Sequence, residues 1–488
     1  MTKIVALIKN QYLILLIIVL LAFAARLYKI DNPIADWHSW RQADTASVTR
    51  IYLDQGIDLL YPRYYDISFL QTGKPNPNGW RFVEFPVYNA LHTLLVSTVG
   101  IFSIEKWGRL LSVIFSLVST VLVFSLSKRF LGVKGGILSA MIFAFMPFNI
   151  YFSRVILPEP AAVMFGLAAL YFFVRWFDNS KPKALLLSGV FFALALLVKP
   201  YVAFYGIPML WLAADKHKWD FAKLVKDKNL WLFVSVALLP LFAWRVWISQ
   251  YPEGVPFYKW VFNSDGIRFK PSYWHWIFGQ RLGILMLGRW GIVAFAAGIL
   301  SKSKENEHRF PLMFILGALS YVSIIATANV RHDYYQTLVI PAVAIVVARG
   351  ILYLWETKDF IQPFTKIFVI VTIIAGLYFS WLPVKEFYKI NHPEIIRAGE
   401  ALDKIAPKNA FVLASYNGDT AFLYQTKRSG WPYQTNSIEE LIAKGADYYV
   451  SVNLGDPQVQ DAMRKFEIPV QTDEYVIVDL NRKRMPKN

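Results

Sequence analysis

The stretch DWHSWRQADTA, at residues 36–46, has four side chains in nine residues that can exchange protons or bind anions: Asp36, His38, Arg41 and Asp44. A carboxylate can take the proton of an attacking hydroxyl, and a nearby guanidinium can neutralise a phosphate. The apolar run YLILLIIVLLAFAA precedes this cluster and is long enough to enter a bilayer. The sequence therefore predicts acid–base chemistry at a membrane surface.

Four further stretches carry ionisable groups where apolar segments begin or end. They are RFVEFPVYNAL with Glu84, SRVILPEPAAVMF with Glu159, YWHWIFGQRLG with His275 and Arg281, and NVRHDYYQTL with Arg331, His332, Asp333 and Tyr334. Taken alone, such groups have simpler explanations. Glu159 can cap its helix, and Arg331 can anchor at the membrane interface, as can Lys199 at the end of another apolar segment. Together they favour a shared polar cavity, because ionisable groups at membrane depth are costly unless they find partners.

The composition is that of a polytopic membrane protein. Of 488 residues, 56% are hydrophobic, 16% are aromatic and only 17% are charged. The net charge of +17 is typical of cytoplasmic loops that face anionic lipid, so the bilayer, and not nucleic acid, is the predicted partner. The absence of cysteine excludes disulfides, iron–sulfur clusters and Cys-ligated zinc. The sequence has no Gly-rich phosphate loop, and no nucleotide or redox cofactor is expected.

Twelve apolar segments follow one another along the chain. They lie near 11–29, 86–103, 107–127, 134–152, 158–175, 184–199, 201–214, 229–249, 283–300, 311–328, 335–354 and 364–382. Basic linkers between them belong in the cytoplasm by the positive-inside rule, together with the N-terminus. That orientation requires one segment not to cross the membrane. Segment 86–103 is the candidate, because it begins with Pro86 and contains Asn89 and His92.

Eleven spanning helices in the plasma (inner) membrane are then predicted. The outer face receives loops 30–106, 153–157, 250–282 and 329–334 and everything after residue 383. Lys3, Lys9 and the small residues AFA at 22–24 resemble a signal peptide. The topology nevertheless favours a retained first helix.

The chain changes character near Val384, which predicts two domains. Residues 1–383 form the membrane domain, whose outer loop 30–106 carries in-plane helices and Asp44. Residues 384–488 alternate between helical and strand patterns, as in EIIRAGEALDKI, AFVLAS, SIEELIAKG, ADYYVSV, DPQVQDAMRKF and EYVIVDL. A small α/β domain on the outer face is predicted there, as an accessory to the membrane domain.

Carboxylates and arginines at an outer membrane surface suit sugar transfer from a lipid phosphate. A carboxylate would remove the proton of the acceptor hydroxyl as that hydroxyl attacks the anomeric carbon. Arginines, or a metal held by carboxylate and histidine, would stabilise the departing phosphate. An apolar helical bundle offers a groove for the lipid tail.

Four short motifs, in order, resemble those of the GT-C membrane glycosyltransferases, in particular the protein O-mannosyltransferase and lipid A aminoarabinose transferase group. They are HSWRQADTA, EFPVYN, RVILPE and RHDYYQTLVIPA, and the resemblance covers roughly residues 8–355. It implies a mainly α-helical GT-C bundle and an inverting transfer from a polyprenyl-phosphate sugar. The acceptor would be a hydroxyl of a glycan, a lipid or a protein outside the membrane.

The resemblance also implies roles for individual residues. Asp44 would be the base. Glu84, with His275, would hold a divalent metal such as Mg, Mn or Zn. Arg281, Arg331 and Tyr334 would contact the lipid phosphate. Relatives often have Lys where this chain has Phe85, so Arg41, Arg81 or Arg281 would neutralise the phosphate instead. The remaining polar groups would line the cavity: Asp36, His38, Glu159, His332 and Asp333.

Two other classes of function stay open at this point. A polysaccharide flippase, polymerase or ligase of the envelope would also be a polytopic protein, but a polymerase is expected to rely on arginines in a large outer loop. A solute transporter typically shows broken helices at matching places in two halves. No such symmetry is present in this sequence.

Overall fold

The structure is a computed structural model that describes residues 10–302, 307–434 and 436–484. Lys3, Lys9 and part of the linker 301–309 lie outside the described residues. The chain forms two compact units. One comprises the residues up to Ile30, Arg109–Arg245 and Tyr258–Phe387, and we call it the bundle unit. The other comprises Asp31–Gly108, Val246–Phe257 and the residues from Tyr388 onward, and we call it the loop unit.

Most of the chain is helical. The α-helices before residue 260 are α1 (Gln11–Arg26), α2 (Ser39–Gln55), α3 (Val87–Val99), α4 (Ile104–Phe145), α5 (Pro147–Phe152), α6 (Glu159–Asn179), α7 (Pro182–Val198), α8 (Gly206–Lys216), α9 (Phe221–Lys226) and α10 (Lys228–Ile248). After it come α11 (Trp260–Asn263), α12 (Pro271–Trp274), a π-helix (His275–Met286), α13 (Gly291–Leu300), α14 (Phe310–Ile324), α15 (Ala326–Arg331), α16 (Ile340–Glu356) and α17 (Gln362–Val384).

Every apolar segment predicted from the sequence is helical in the structure. Segment 107–127 and the first part of segment 134–152 run together into the 42-residue α4, which is broken at Gly132 with φ of 73°, and the rest of segment 134–152 forms α5. The predicted segment 283–300 is not one straight helix, because the π-helix and α13 meet at an angle of 116°. A Cβ at Gly288, in the bend, would overlap the carbonyl of Gly376 on α17. The close approach of α17 therefore requires glycine at the bend.

Among the described residues, four helices are long and apolar enough to cross a membrane, and the bent pair could make a fifth: α4, α6, α10 and the helix Gln362–Tyr388. Four shorter apolar helices accompany them: α1, α3, α7 and α14. The total of eleven spans stays a prediction. Helix α3 has 13 residues, about 20 Å at 1.5 Å per residue, which is less than the hydrocarbon thickness. Its place in the membrane plane stays a prediction.

Glycines bring helices of the bundle unit close together. A Cβ on Gly350 of α16 would overlap the carbonyl of Ala294 on α13, and one on Gly298 of α13 would overlap the carbonyl of Val346 on α16. Small residues at such crossings let backbones approach closely, which is how helices associate in lipid.

The loop unit contains a five-stranded mixed sheet in the order β2-β1-β3-β5-β4. Its elements are α18 (Glu394–Ile405), β1 (Phe411–Ser415), α19 (Thr420–Thr426), β2 (Gly430–Trp431), α20 (Ile438–Ala443), β3 (Ala446–Ser451), α21 (Pro457–Lys465), β4 (Phe466–Gln471) and β5 (Val476–Lys483). Strand β1 pairs in parallel with β2 and β3, whereas β5 is antiparallel to β3 and β4. Each of the six stretches predicted to be helix or strand here is confirmed. The sequence patterns missed β2, β4 and α19.

The loop at residues 31–108 and the C-terminal segment pack together within the loop unit. The Ile67 amide donates to the carbonyl of Gly430 at 3.0 Å, and the Gly430 amide donates to the carbonyl of Tyr65 at 2.9 Å. Ile67 also packs on the hydrophobic core of the sheet. The C-terminal segment, predicted as a separate domain, thus shares a β-pairing and a core with the loop that carries Asp44.

Candidate active site

Helix α2 carries a polar sequence, SWRQADTASVTRIYLDQ, yet most of it is buried from Arg41 to Tyr52. Buried polar groups need hydrogen-bonding partners, so the neighbours of α2 must supply them. Helix α3 supplies some: Asn89 Nδ2 donates to the carbonyl of Thr45 at 2.7 Å, and His92 Nδ1 lies 3.0 Å from the Thr49 hydroxyl. The polar residues that set segment 86–103 apart in the sequence therefore face α2.

The Asp44 carboxylate has no exposed surface and is held by three side chains. Its Oδ2 atom lies 3.0 Å from Arg81 Nη2 and accepts from Gln71 Nε2 at 3.3 Å. Its Oδ1 atom accepts from the Thr420 hydroxyl of α19 at 2.6 Å. Arg81 Nη1 also donates to Gln71 Oε1 at 3.0 Å, which fixes the two Oδ2 partners against each other. An acceptor can reach this carboxylate only after a neighbouring group moves.

The other predicted residues of the first loop lie in the same unit. Arg41 Nη2 pairs with Glu84 Oε1 at 2.7 Å, and both side chains are buried. Asp36 Oδ1 accepts from Gln42 Nε2 at 2.7 Å. His38 is half-buried, and its φ of 55° lies in the left-handed region, where few residues other than glycine are found. Of the predicted cluster, Arg41 and Asp44 lie in the buried N-terminal half of α2, and buried Asp36 lies just before the helix begins.

Two acids that the sequence reasoning missed lie close to Asp44. Burial raises the pKa of Asp66 to about 6, and the negative charge of Asp44 adds to that rise. Burial likewise raises the pKa of Asp419 to about 6, again with a contribution from Asp44, while His38 and His392 oppose it. The surroundings of Asp44 therefore gain negative charge as the pH rises through about 6.

The bundle unit holds a buried ion pair between Glu159 and Lys199. Lys199 Nζ lies 2.5 Å from Glu159 Oε1, and neither side chain is appreciably exposed. The ammonium also lies 4.8 Å from the ring centroid of Tyr335 and 5.8 Å from that of Tyr334. The interpretation of Lys199 as an interface anchor is wrong, because its charged end is buried and points at a carboxylate.

The predicted phosphate ligands lie in the bundle unit as well. Arg281 is buried and lies 3.8 Å from Asp333 Oδ2, while its Nη2 donates to the carbonyl of Val330 at 2.9 Å. Arg331 is more exposed and lies 3.5 Å from Asp265 Oδ2. Tyr334 is buried, and its ring packs against that of His332 at 5.6 Å. Arg281, Asp333 and Tyr334 are thus grouped around the start of α16.

An apolar cavity of about 400 Å³ lies along the π-helix that carries Arg281. Ile277, Phe278 and Leu282 of the π-helix line one side, and Gln336 and Val339 line another. The π-helix that carries Arg281 therefore contributes both a cation and an apolar wall, a combination suited to a lipid phosphate.

The side chains predicted to bind a metal do not form a ligand set in the described parts of the chain. Glu84 is paired with Arg41, and His275 is exposed, with its Nε2 atom 3.3 Å from Gln280 Nε2. No group of three or more His, Asp or Glu residues that could hold a metal ion occurs among residues 10–302, 307–434 and 436–484. The metal site at Glu84 and His275 stays a prediction, and we derive no chemical step through it.

Residues 86–247 match a family model described as dolichyl-phosphate-mannose-protein mannosyltransferase. No curated protein matches the chain in sequence. In structure, the chain is similar to ArnT from Cupriavidus metallidurans bound to undecaprenyl phosphate, with a TM-score of 0.66 and 11% identity over 95% of this chain and 97% of that one.

Two other solved structures are also similar. The Archaeoglobus fulgidus oligosaccharyltransferase in complex with Zn and sulfate has a TM-score of 0.55 and 11% identity, over 95% of this chain and 72% of that one. A mutant of the arabinofuranosyltransferase AftD from Mycobacteria has a TM-score of 0.56 and 12% identity, over 96% of this chain and 41% of that one.

The fold is therefore that of the GT-C integral membrane proteins, and the resemblance predicted from the motifs is confirmed. The family match and these neighbours indicate a multi-pass membrane glycosyltransferase of the GT-C type, a class that takes sugars from lipid-linked donors.

Proposed function

We propose that this glycosyltransferase moves a sugar from a polyprenyl-phosphate donor to a hydroxyl of an acceptor outside the membrane, with Asp44 as the general base. The observation that carries the proposal is the carboxylate itself: Asp44 is buried, and Arg81 and Gln71 hold its Oδ2 atom. A general base must be held within reach of the proton that it accepts, and these contacts hold the Asp44 carboxylate in one orientation.

The proposed reaction is a single displacement. The acceptor oxygen attacks the anomeric carbon while its proton passes to Asp44. The bond between the anomeric carbon and the phosphate oxygen breaks, and the electron pair leaves with the lipid phosphate. Because attack and departure occur on opposite sides of one carbon, the sugar's anomeric configuration inverts.

The donor phosphate is assigned to Arg281 with Tyr334, and its lipid tail to the apolar cavity along the π-helix. Two features support this assignment. Arg281 is a buried cation, and it lies on the same π-helix as three residues that line the cavity. The ArnT neighbour was solved with undecaprenyl phosphate bound, which is a lipid of the proposed class. Arg331, in the same unit as Arg281, is a further candidate for this phosphate.

The configuration of the product tests the reaction type. Purified protein is incubated with a radiolabelled polyprenyl-phosphate sugar of known configuration and a panel of glycan, lipid and peptide acceptors. We expect transfer to one acceptor class, and a product whose anomeric configuration, read by NMR, is opposite to that of the donor. Retention would contradict a single displacement. Boiled enzyme serves as the control for spontaneous donor hydrolysis.

The site and the C-terminal segment are proposed to face the outside of the plasma (inner) membrane. The chain has no native cysteine, so single cysteines report the topology cleanly. Cysteines at the exposed positions Ser103 and Asn417 should react with a membrane-impermeant thiol reagent on intact cells, and one at exposed Asn179 should not. Detergent should make all three reactive. Protection of Ser103 or Asn417 before lysis would reverse the orientation.

A further inference from the structure

The two oxygens of Asp44 have different surroundings. Arg81 and Gln71 both contact Oδ2, whereas the hydroxyl of Thr420 is the one described donor to Oδ1. An ionised carboxylate offers about four lone-pair sites, two on each oxygen. Three donors fill three of them, so the remaining site lies on Oδ1. The oxygen that can accept a proton from a substrate is therefore the one that Thr420 contacts.

The Thr420 contact has the geometry of a strong hydrogen bond. At 2.6 Å it lies in the range of O–H···O⁻ bonds, which are shorter and stronger than neutral ones. The same hydroxyl lies 3.2 Å from the carbonyl of Trp40. A hydroxyl has one proton to give, and the shorter, charge-assisted contact with Asp44 takes it. Thr420 therefore restrains the rotation of the Asp44 carboxylate through Oδ1.

Helix α19, which begins at Thr420, is fastened to the first loop at several points. Arg50 Nη2 donates to the Tyr424 hydroxyl at 2.6 Å and to Glu105 Oε1 at 2.8 Å. The Tyr424 hydroxyl donates to Glu105 at 2.5 Å, and the Arg50 guanidinium lies 4.0 Å from the Tyr424 ring centroid. Gln425 Nε2 donates to the carbonyl of Ile34 at 2.9 Å. These bonds hold the helix against α2, so Thr420 is a lasting partner of Asp44 and not a removable cover.

We propose that Thr420 is a positioning residue for the transfer reaction: its hydroxyl orients Asp44 so that the free lone pair of Oδ1 faces the acceptor. This inference rests on the proposed role of Asp44 as the base. It also gives the C-terminal segment a part in the site, because the segment supplies the third hydrogen bond to the reactive carboxylate. On this proposal, residues 384–488 contribute to the site itself, beyond the accessory role predicted from the sequence.

Three variants test the role of Thr420. Thr420→Val removes the hydroxyl at nearly constant volume, and Thr420→Ser keeps it. Thr426→Val is the matched control, because Thr426 lies on the same helix, is buried, and donates to the carbonyl of Leu423 within that helix. We expect Thr420→Val to lower kcat by roughly 10- to 100-fold, the effect of losing one hydrogen bond to a charged group, with KM for the donor unchanged. Thr420→Ser should restore most of kcat, and Thr426→Val should behave as wild type.

Thermal unfolding of all three variants separates misfolding from misorientation. Thr420→Val and Thr426→Val should unfold at similar temperatures while differing in kcat. Equal kcat for Thr420→Val and wild type, or no recovery in Thr420→Ser, would overturn the inference. A rise in kcat for Thr420→Val would overturn it in favour of a hydroxyl that blocks the base. Asp44→Asn, assayed in parallel, tests the proposed function separately. If Asp44→Asn is active, Asp44 is not the base. If Asp44→Asn is inactive while Thr420→Val is fully active, only the role of Thr420 is wrong.

Discussion

Asp44→Asn is expected to lower the rate of sugar transfer by about 10²–10⁴-fold, the usual contribution of a general base. The amide has nearly the shape of the carboxylate. Its oxygen can keep the contacts of Arg81 and Gln71, and its NH2 group can donate to the Thr420 hydroxyl. The amide cannot accept a proton at the same position. The rate is measured with a radiolabelled polyprenyl-phosphate sugar and purified protein, and donor binding is measured separately on the same preparation.

Asp54→Asn is the matched control for that variant. Asp54 lies on the same helix, α2, but its side chain is exposed. We expect the Asp54 variant to transfer sugar at the wild-type rate and both variants to bind the donor. An Asp44→Asn protein that transfers sugar within a few-fold of wild type would show that another group takes the proton.

The helices of the bundle could be predicted from the sequence because each apolar segment is a local signal. A run of apolar residues of spanning length folds as a helix in lipid, where every backbone polar group must be satisfied within the segment. The bend between the π-helix and α13 escaped prediction because it depends on the approach of Gly376 to Gly288, two residues far apart in sequence. Hydropathy records no such contact.

The sequence singles out Asp44 because it lies in a dense cluster of ionisable groups, but it does not indicate the side chains that contact its carboxylate. Gln71 is 27 positions away and Thr420 is 376 positions away, and neither stands in an unusual local sequence. The residues DT at Asp419 and Thr420 carry a capping signal, and Asp419 does accept from the amide of Ala421 at 2.7 Å. That signal could have revealed α19, yet nothing in it indicates a contact with α2.

The predicted boundary near residue 383 lies close to the passage from the bundle unit to the loop unit at Tyr388, but it does not separate residues 384–488 from the first loop, which belongs to the same unit. Composition records whether a segment is apolar, and residues 384–488 are not. The loop unit forms instead through contacts that composition does not record, such as the pairing of Tyr65 and Ile67 with Gly430.

Lys199 shows how a single residue can be misjudged from sequence. A lysine at the end of an apolar helix usually extends its ammonium to the interface. Here the helix α7 ends at Val198 beside the start of α6, where Glu159 is also buried, so the two charges meet. Their pairing at positions 40 residues apart could only have been inferred from the packing of α6 along α7.

Lys199→Met is expected to lower the free energy of unfolding by about 3–5 kcal/mol, because removing one partner leaves a buried charge uncompensated. Glu159→Gln should lower the free energy of unfolding less than Lys199→Met does. The Lys199 ammonium then still has its cation–π contact with Tyr335, 4.8 Å from the ring centroid. The double variant should recover much of the loss, because two neutral groups need no charge partner. Thermal and denaturant unfolding in detergent, compared across wild type, both single variants and the double variant, gives the coupling energy.

The control is Lys134→Met, which breaks the exposed pair with Glu356, 3.2 Å long and with side chains 76% and 58% exposed. Exposed pairs contribute about 0–1 kcal/mol, so this variant should unfold almost as wild type does. If Lys199→Met were no more destabilising than Lys134→Met, the Glu159–Lys199 pair would not be the desolvated contact that the structure describes.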